Sequence, residues 1–185
     1  MIITAIRHTS VDVPSGICYG TTDVPLSKTF GDEATLILRQ LKNQHFDRIF
    51  SSPVSRCTTL ASRIFPEREV ISDQRLVELN FGDWEMQQWE TIFNSPEGKA
   101  WFANYTLASC PNGESFADLI SRVNIFLDQM ETTEDHQIIM VTHAGVIRTL
   151  MCLLQHKTPE EAFHTPLKFG EILNFNYADP QPATI

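Results

Sequence analysis

Three short strand candidates in this chain, the first and last of them mostly apolar, each stop on residues that can do chemistry. Met1–Ile6 leads into Arg7-His8, Phe46–Ser51 into Ser52, and Gln137–Thr142 into His143. Runs of this length and composition suit strands covered on both faces, as in a parallel sheet. The stretches between them carry helical periodicity. Phe30, Ala34, Ile37, Leu38 and Leu41 share one face of a helix that opens at Thr29-Phe-Gly-Asp32 and ends near Gln44. Ser52-Pro53 reads as the N-cap and first residue of a helix running to about Phe65. After an Asn112-Gly113 turn, Phe116, Leu119, Ile120, Val123, Phe126, Leu127 and Met130 fall at helical spacing. His143-Ala-Gly145 leads into a helix through Leu154, and Thr158-Pro159 opens a short one. Val70-Ile71 is a short strand candidate, Glu171–Tyr177 alternates like an edge strand, and the tail after Asp179 reads as loose. The expected fold is α/β, a three-layer α/β/α sandwich around a mostly parallel sheet. In such sheets ligands gather at the carboxyl ends of strands, beside helix N-termini. Arg7-His8, Ser51-Ser52 and Thr142-His143 all fall there.

A fixed cation beside an imidazole at a buried strand end is unfavourable unless an anion joins it. We read His8 as a nucleophile toward phosphate, with one ring nitrogen free for in-line attack. Three donors are expected to hold the phosphoryl oxygens: Arg7, Arg56 in the first turn of its helix, and His143 at the head of the next. Guanidinium forks suit this because they pair two oxygens at once. A metaphosphate-like transition state is stabilised by such preorganised charge, so no metal and no cofactor is called for. One carboxyl group can protonate the leaving alkoxide and then activate water. In Leu76-Val-Glu-Leu-Asn-Phe-Gly-Asp-Trp-Glu85 the best candidate is Glu78, between apolar neighbours, with Asp83 and Glu85 as competitors.

Composition narrows the partners. With 14 basic against 23 acidic side chains the net charge is -9, which argues against nucleic acid or an anionic membrane surface. A phosphate monoester of a small molecule remains, and the chain must concentrate positive charge locally to hold it. No apolar segment approaches the ~20 residues of a membrane span, and no signal-peptide pattern opens the chain. Cys18, Cys57, Cys110 and Cys152 form no Cys-x-x-Cys pair and read as reduced residues of a cytoplasmic protein. The 185 residues suit one domain, and a homodimer is compatible with them. The loop Ser10–Ser27 is long and hydroxyl-rich, the kind of connection that is usually functional. The irregular segment Leu76–Asn112 holds all three tryptophans, Trp84, Trp89 and Trp101. With Phe102 they either close the core or form a hood that stacks on a flat base, so residues 76–112 are a candidate substrate-covering insertion.

Arg7-His8, Ser51-Ser-Pro-Val-Ser-Arg56, Leu76–Glu85, Pro111-Asn-Gly-Glu-Ser115 and Val141-Thr-His-Ala-Gly-Val-Ile-Arg148 follow one another along nearly the whole chain. In this order they resemble the histidine phosphatase (phosphoglycerate mutase-like) superfamily. The resemblance implies His8 as the residue that becomes phosphorylated, Arg7, Arg56 and His143 as the phosphate pocket, and Glu78 as proton donor and then base. Two positions depart from the family pattern. Thr9 stands where a glycine usually follows the histidine, and Pro14 where an Asn of the pocket often sits. Thr9 and Thr21 are the hydroxyls available in their place. Arg7–Pro14 followed by Gly16–Leu26 is similar to the α-ribazole phosphatase branch. Its members remove the 5′-phosphate of α-ribazole phosphate, or of cobalamin phosphate, late in nucleotide-loop assembly. The function implied is a metal-independent phosphomonoesterase of that kind. The alternatives are a broad-specificity sugar-phosphate or nucleotide phosphatase and a non-catalytic phosphate-binding protein.

Overall fold

The computed structural model describes residues 1–131 and 136–177, so the tail read as loose after Asp179 lies outside the described residues. Strands β1 (Ile2–Arg7), β2 (Arg48–Ser51), β3 (Ile71–Ser72), β4 (Gln137–Thr142) and β5 (Ile172–Asn176) form one sheet in the order β3-β2-β4-β1-β5. The first four run parallel, and β5 lies antiparallel against β1 at the edge. Ile3–Ile6 and Ile138–Thr142 are buried without a break. A strand with helices on both faces has no polar face, which explains why both run continuously apolar in sequence.

Alternation along the strands sends side chains into two separate cores. On one face Ile6, Ile49, Ile139 and Val141 pack against Ala34 and Ile37 of α1 (Phe30–Gln40) and Leu60, Ala61 and Ile64 of α2 (Ser55–Ile64). On the other, Ile3, Ala5, Phe50, Ile138 and Met140 meet α5 (Phe116–Glu131) and α6 (Ala144–Gln155) through Leu119, Val123, Phe126, Ile147 and Leu150. Phe50 and Phe126 meet edge to face at 5.1 Å. The three-layer α/β arrangement read from the sequence is the one found.

Two helix ends differ from the sequence reading. The first helix stops at Gln40, where Asn43 turns the chain at a φ of 68°. The second starts at Ser55 with Val54 as N-cap, because the Ser52 hydroxyl is bonded to His143 and does not cap. The segment read as irregular contains α3 (Trp89–Asn94) and α4 (Pro96–Ala103), the latter capped by the Ser95 hydroxyl. Helices this short hold too few turns to display a period. Trp84 and Trp101 lie in the core and meet edge to face at 5.6 Å. The core reading therefore holds for these two rings. Helix α7 (Pro159–His164) opens with a full capping box between Thr158 and Glu161. Among the described residues no helix is long and apolar enough to cross a membrane.

Strand register sets the site. Arg7 pairs with Thr142, and Ser51 with Val141. The pairing continues one step past the strands, as His8 N–H donates to the Thr142 carbonyl and Ser52 N–H to the Val141 carbonyl, both at 2.9 Å. His8, Ser52 and His143 therefore emerge side by side at the carboxyl end of the sheet.

Candidate active site

His8 is 1% exposed. Its Nδ1 lies 2.7 Å from the Thr9 carbonyl oxygen, which can only accept. Nδ1 therefore carries the proton, and the lone pair is left on Nε2. Burial is the largest influence on the ring and, with the charges of Arg56 and Arg7, lowers its pKa from 6.5 to about 3. The Thr9 hydrogen bond opposes this without reversing it. The imidazole is neutral at physiological pH.

Completely buried His143 has the opposite tautomer. Its Nδ1 is 3.3 Å from Arg56 Nη2, which has only protons to offer, so Nδ1 accepts. Nε2–H then donates to Ser52 Oγ at 2.8 Å. Burial, with the neighbouring His8 and Arg56, holds its pKa well below the usual range. The two rings meet at a steep angle with centroids 5.2 Å apart.

Histidines kept neutral by the fold give stability a definite pH slope. Unfolded, each binds a proton below about 6.5 that the folded site does not accept. The His8 contribution is complete above that pH and is lost as pH falls toward about 3, at up to about 1.4 kcal/mol per unit, and that of His143 is lost in the same direction. Urea midpoints are expected to drop between pH 6.5 and 4.5, and His8→Asn should flatten the slope. An equal slope in the variant would mean that other groups set it.

Arg56 has no exposed surface, a rare state for a guanidinium. It is the second residue of α2, whose first turn holds no acid, so it works against the helix dipole by about 0.3–1 kcal/mol. Backbone carbonyls anchor it: Nη1 donates to Thr22 O at 2.8 Å and Nη2 to Gly20 O at 2.6 Å. Arg7 donates from Nη1 to Leu167 O at 2.6 Å. Neither has a carboxylate partner among the described residues, and Arg7 Nε and Arg56 Nε are buried without any partner. Thr9 Oγ1 is in the same condition. Of the five buried side-chain polar atoms without a hydrogen bond among the described residues, three belong to this cluster. Each unmet donor is unfavourable by about 1–3 kcal/mol, a cost that a bound anion would remove.

The three acidic candidates part company. Glu85 accepts from the backbone N–H and hydroxyl of both Thr21 and Thr22, and from Phe81 N–H. Burial raises its pKa, but these bonds outweigh it and hold the carboxyl below its ordinary value. Glu85 thus fastens the loop whose Gly20 and Thr22 carbonyls grip Arg56. Thr21 gives its hydroxyl proton to Glu85, so it has no donor left for a phosphoryl oxygen. Asp83 is exposed and accepts from Asn112. Glu78 sits at the N-terminus of α6, where Gly145 N–H donates to both carboxylate oxygens, at 3.0 and 3.1 Å. A Cβ on Gly145 would lie 2.1 Å from Glu78 Oε1, so only glycine lets the carboxylate approach. Gly145 is two residues beyond His143, so Glu78 lies against the same helix terminus that His143 opens.

A residue that the sequence reading passed over holds Glu78 there. Arg122 in α5 donates to the carbonyls of Arg75, Val77 and Glu78 at 2.7–2.8 Å, and to both oxygens of Glu114 at 2.9 and 3.0 Å. Glu114 also accepts from Asn80 N–H. Arg122→Met would strip the Glu78 segment of this clamp, with an expected loss of about 2–4 kcal/mol. Urea denaturation checks this, and a loss under about 0.5 kcal/mol, the range of ordinary surface substitutions, would contradict it. Its local sequence gives no sign of this role, because the partners lie up to 47 residues away.

Among the described residues no group of three or more His, Cys, Asp or Glu side chains could hold a metal ion. All four cysteines are buried and free.

Comparison with known proteins gives one consistent result. The family model of the histidine phosphatase superfamily (branch 1) matches residues 3–184. Phosphoserine phosphatase 1 of Hydrogenobacter thermophilus is 29% identical over 155 residues, 80% of this chain and 74% of that protein. The adenosylcobalamin/alpha-ribazole phosphatase of Salmonella typhimurium is 26% identical over 171 residues, 89% and 85% of the two chains. The crystal structure of the alpha-ribazole phosphatase from Shigella flexneri superposes with a TM-score of 0.85 at 25% identity, covering 94% of this chain and 89% of that one.

Proposed function

Because the chain belongs to the histidine phosphatase superfamily (branch 1), we propose that it is a metal-independent phosphomonoesterase working through a phosphohistidine at His8. The observation that carries this reading is the pairing at the sheet end of a neutral His8, its Nε2 lone pair free, with two guanidinium groups that have no carboxylate partner among the described residues and whose buried Nε atoms are unmet. His8 Nε2 attacks phosphorus, and the P–O bond to the leaving alcohol breaks. Arg7 and Arg56 hold the equatorial oxygens, where charge collects in the transition state. The Thr9 hydroxyl is a further donor. As placed, His143 directs its N–H at Ser52, so it joins the pocket through a change of protonation. An arriving phosphate dianion favours a proton on His143 Nδ1, and the ring then donates from both nitrogens. Glu78 gives its proton to the leaving oxygen. The resulting carboxylate takes a proton from the water that cleaves phospho-His8.

Two relatives suggest two substrates. The α-ribazole assignment is supported by the match to the Salmonella typhimurium protein, the superposition on the Shigella flexneri enzyme and the loop residues Arg7–Leu26. The Hydrogenobacter thermophilus relative supports phosphoserine as the second reading. We favour α-ribazole 5′-phosphate on the loop residues Arg7–Leu26, since relatives and solved structures carry each of the two descriptions. Phosphate release should be compared across α-ribazole 5′-phosphate, phosphoserine, sugar phosphates and mononucleotides in excess EDTA. A kcat/KM preference of about two orders of magnitude for the ribazole ester, roughly 2.7 kcal/mol, is the expected result. Uniform slow hydrolysis would remove the substrate assignment and leave the chemistry standing. No release from any ester would leave phosphate binding without turnover.

A further inference from the structure

Phe169 is 39% exposed, yet its ring centroid lies 5.5 Å from that of His8. The Arg7 guanidinium carbon sits 4.0 Å over the ring centre. The loop carrying it is fastened to the strand end. Gly170 N–H donates to the Arg7 and His8 carbonyls, both at 3.1 Å, and Gly170 has the left-handed φ of 69° that glycine takes freely. Leu167 holds Arg7 in turn through its carbonyl. The ring is thus set at the rim of the site, backed by a cation and partly open to solvent. Tyr19 repeats the arrangement on Arg56: the guanidinium carbon lies 5.2 Å from its ring centre, and the ring centroid is 6.4 Å from His8. Each pocket arginine therefore has an aromatic ring against it, and both rings border the nucleophile.

We propose that Phe169, with Tyr19, is a specificity surface that receives a flat, unsaturated group in the leaving alcohol. This rests on the phosphomonoesterase reading and names the substrate class for it. An apolar ring exposed beside a phosphate pocket gains nothing from water. It is covered only when a bound ester carries apolar surface. A flat π-system gains more than an aliphatic group of equal bulk, because rings also favour offset or edge contact at centroid separations of about 4.5–7 Å. Of the tryptophans read as a possible hood, Trp84 and Trp101 do not offer this surface, since both are buried in the core.

The test uses two non-hydrolysable ligands of equal length, 2-phenylethyl phosphonate and 2-cyclohexylethyl phosphonate, with inorganic phosphate as reference. Calorimetry on the full chain should find the phenyl ligand bound about tenfold tighter, and Phe169→Leu should bring the ratio to about one. Phosphate binding by the variant certifies its fold. Equal weakening of both phosphonates and phosphate would mean that Phe169 only orients Arg7, and would overturn the proposal. A ratio unchanged by the substitution would overturn it as well. Hydrolysis of the matching phosphates by the unsubstituted protein is a separate readout. Discrimination without turnover keeps the surface and fails the enzyme reading; turnover without discrimination does the reverse.

Discussion

His8→Ala is expected to lower kcat by about four to six orders of magnitude, the range found when a covalent nucleophile is removed. The fold should tolerate the change. The His8 side chain makes one hydrogen bond, to the carbonyl of its own neighbour, and the strand pairing runs through backbone groups that alanine keeps. Phosphate affinity should survive too, since Arg7 and Arg56 are anchored by Leu167, Thr22 and Gly20 and not by the imidazole. Loss of turnover with phosphate binding retained is therefore the signature of a nucleophile. Steady-state kinetics beside phosphate calorimetry reads both. A variant that turns over normally would end the phosphohistidine reading.

Glu78→Gln should cut the rate by about two to four orders of magnitude on alkyl phosphates, the usual worth of a positioned acid or base. Glutamine keeps the shape and can still accept from Gly145 N–H, so the proton is what is removed. The loss should therefore depend on the leaving group. Nitrophenyl phosphate expels a stabilised anion, needs little protonation and should lose much less in the first step. A plot of log kcat against leaving-group pKa should steepen in the variant. Equal losses across esters would assign Glu78 to positioning alone.

Much of this site was legible because strand ends are legible. Continuous apolar runs announced buried strands, and the residues just past them had to meet at one edge once the strands ran parallel. Arg7, His8 and His143 were found in this way, and Arg56 by its place in the first turn of a helix. What escaped the sequence depends on distance and direction. Arg122 grips the Glu78 segment from a helix far along the chain. Phe169 reaches His8 only because β5 folds back antiparallel to β1 and brings its preceding loop along. Nothing within Thr21-Thr22 says that Glu85 takes both hydroxyls, and nothing in Ser52-Pro53 says that its hydroxyl turns to His143 instead of capping a helix. Each is a choice between a local and a remote hydrogen bond, and the remote partner wins where burial leaves it no water. The aromatic segment leaves core and hood both open in the sequence for another reason. Trp84 and Trp101 have the same composition whether they line a core or a mouth, and only packing decides between them.

The most direct test is to trap the intermediate. Rapid quenching of the protein in alkaline detergent during turnover of a ³²P-labelled ester, followed by peptide mapping under alkaline conditions, should recover label on the peptide containing His8. That label should be acid-labile and base-stable, form at least as fast as steady-state turnover, and be absent from His8→Ala. Turnover without such label at His8, or label on another residue, would contradict the mechanism.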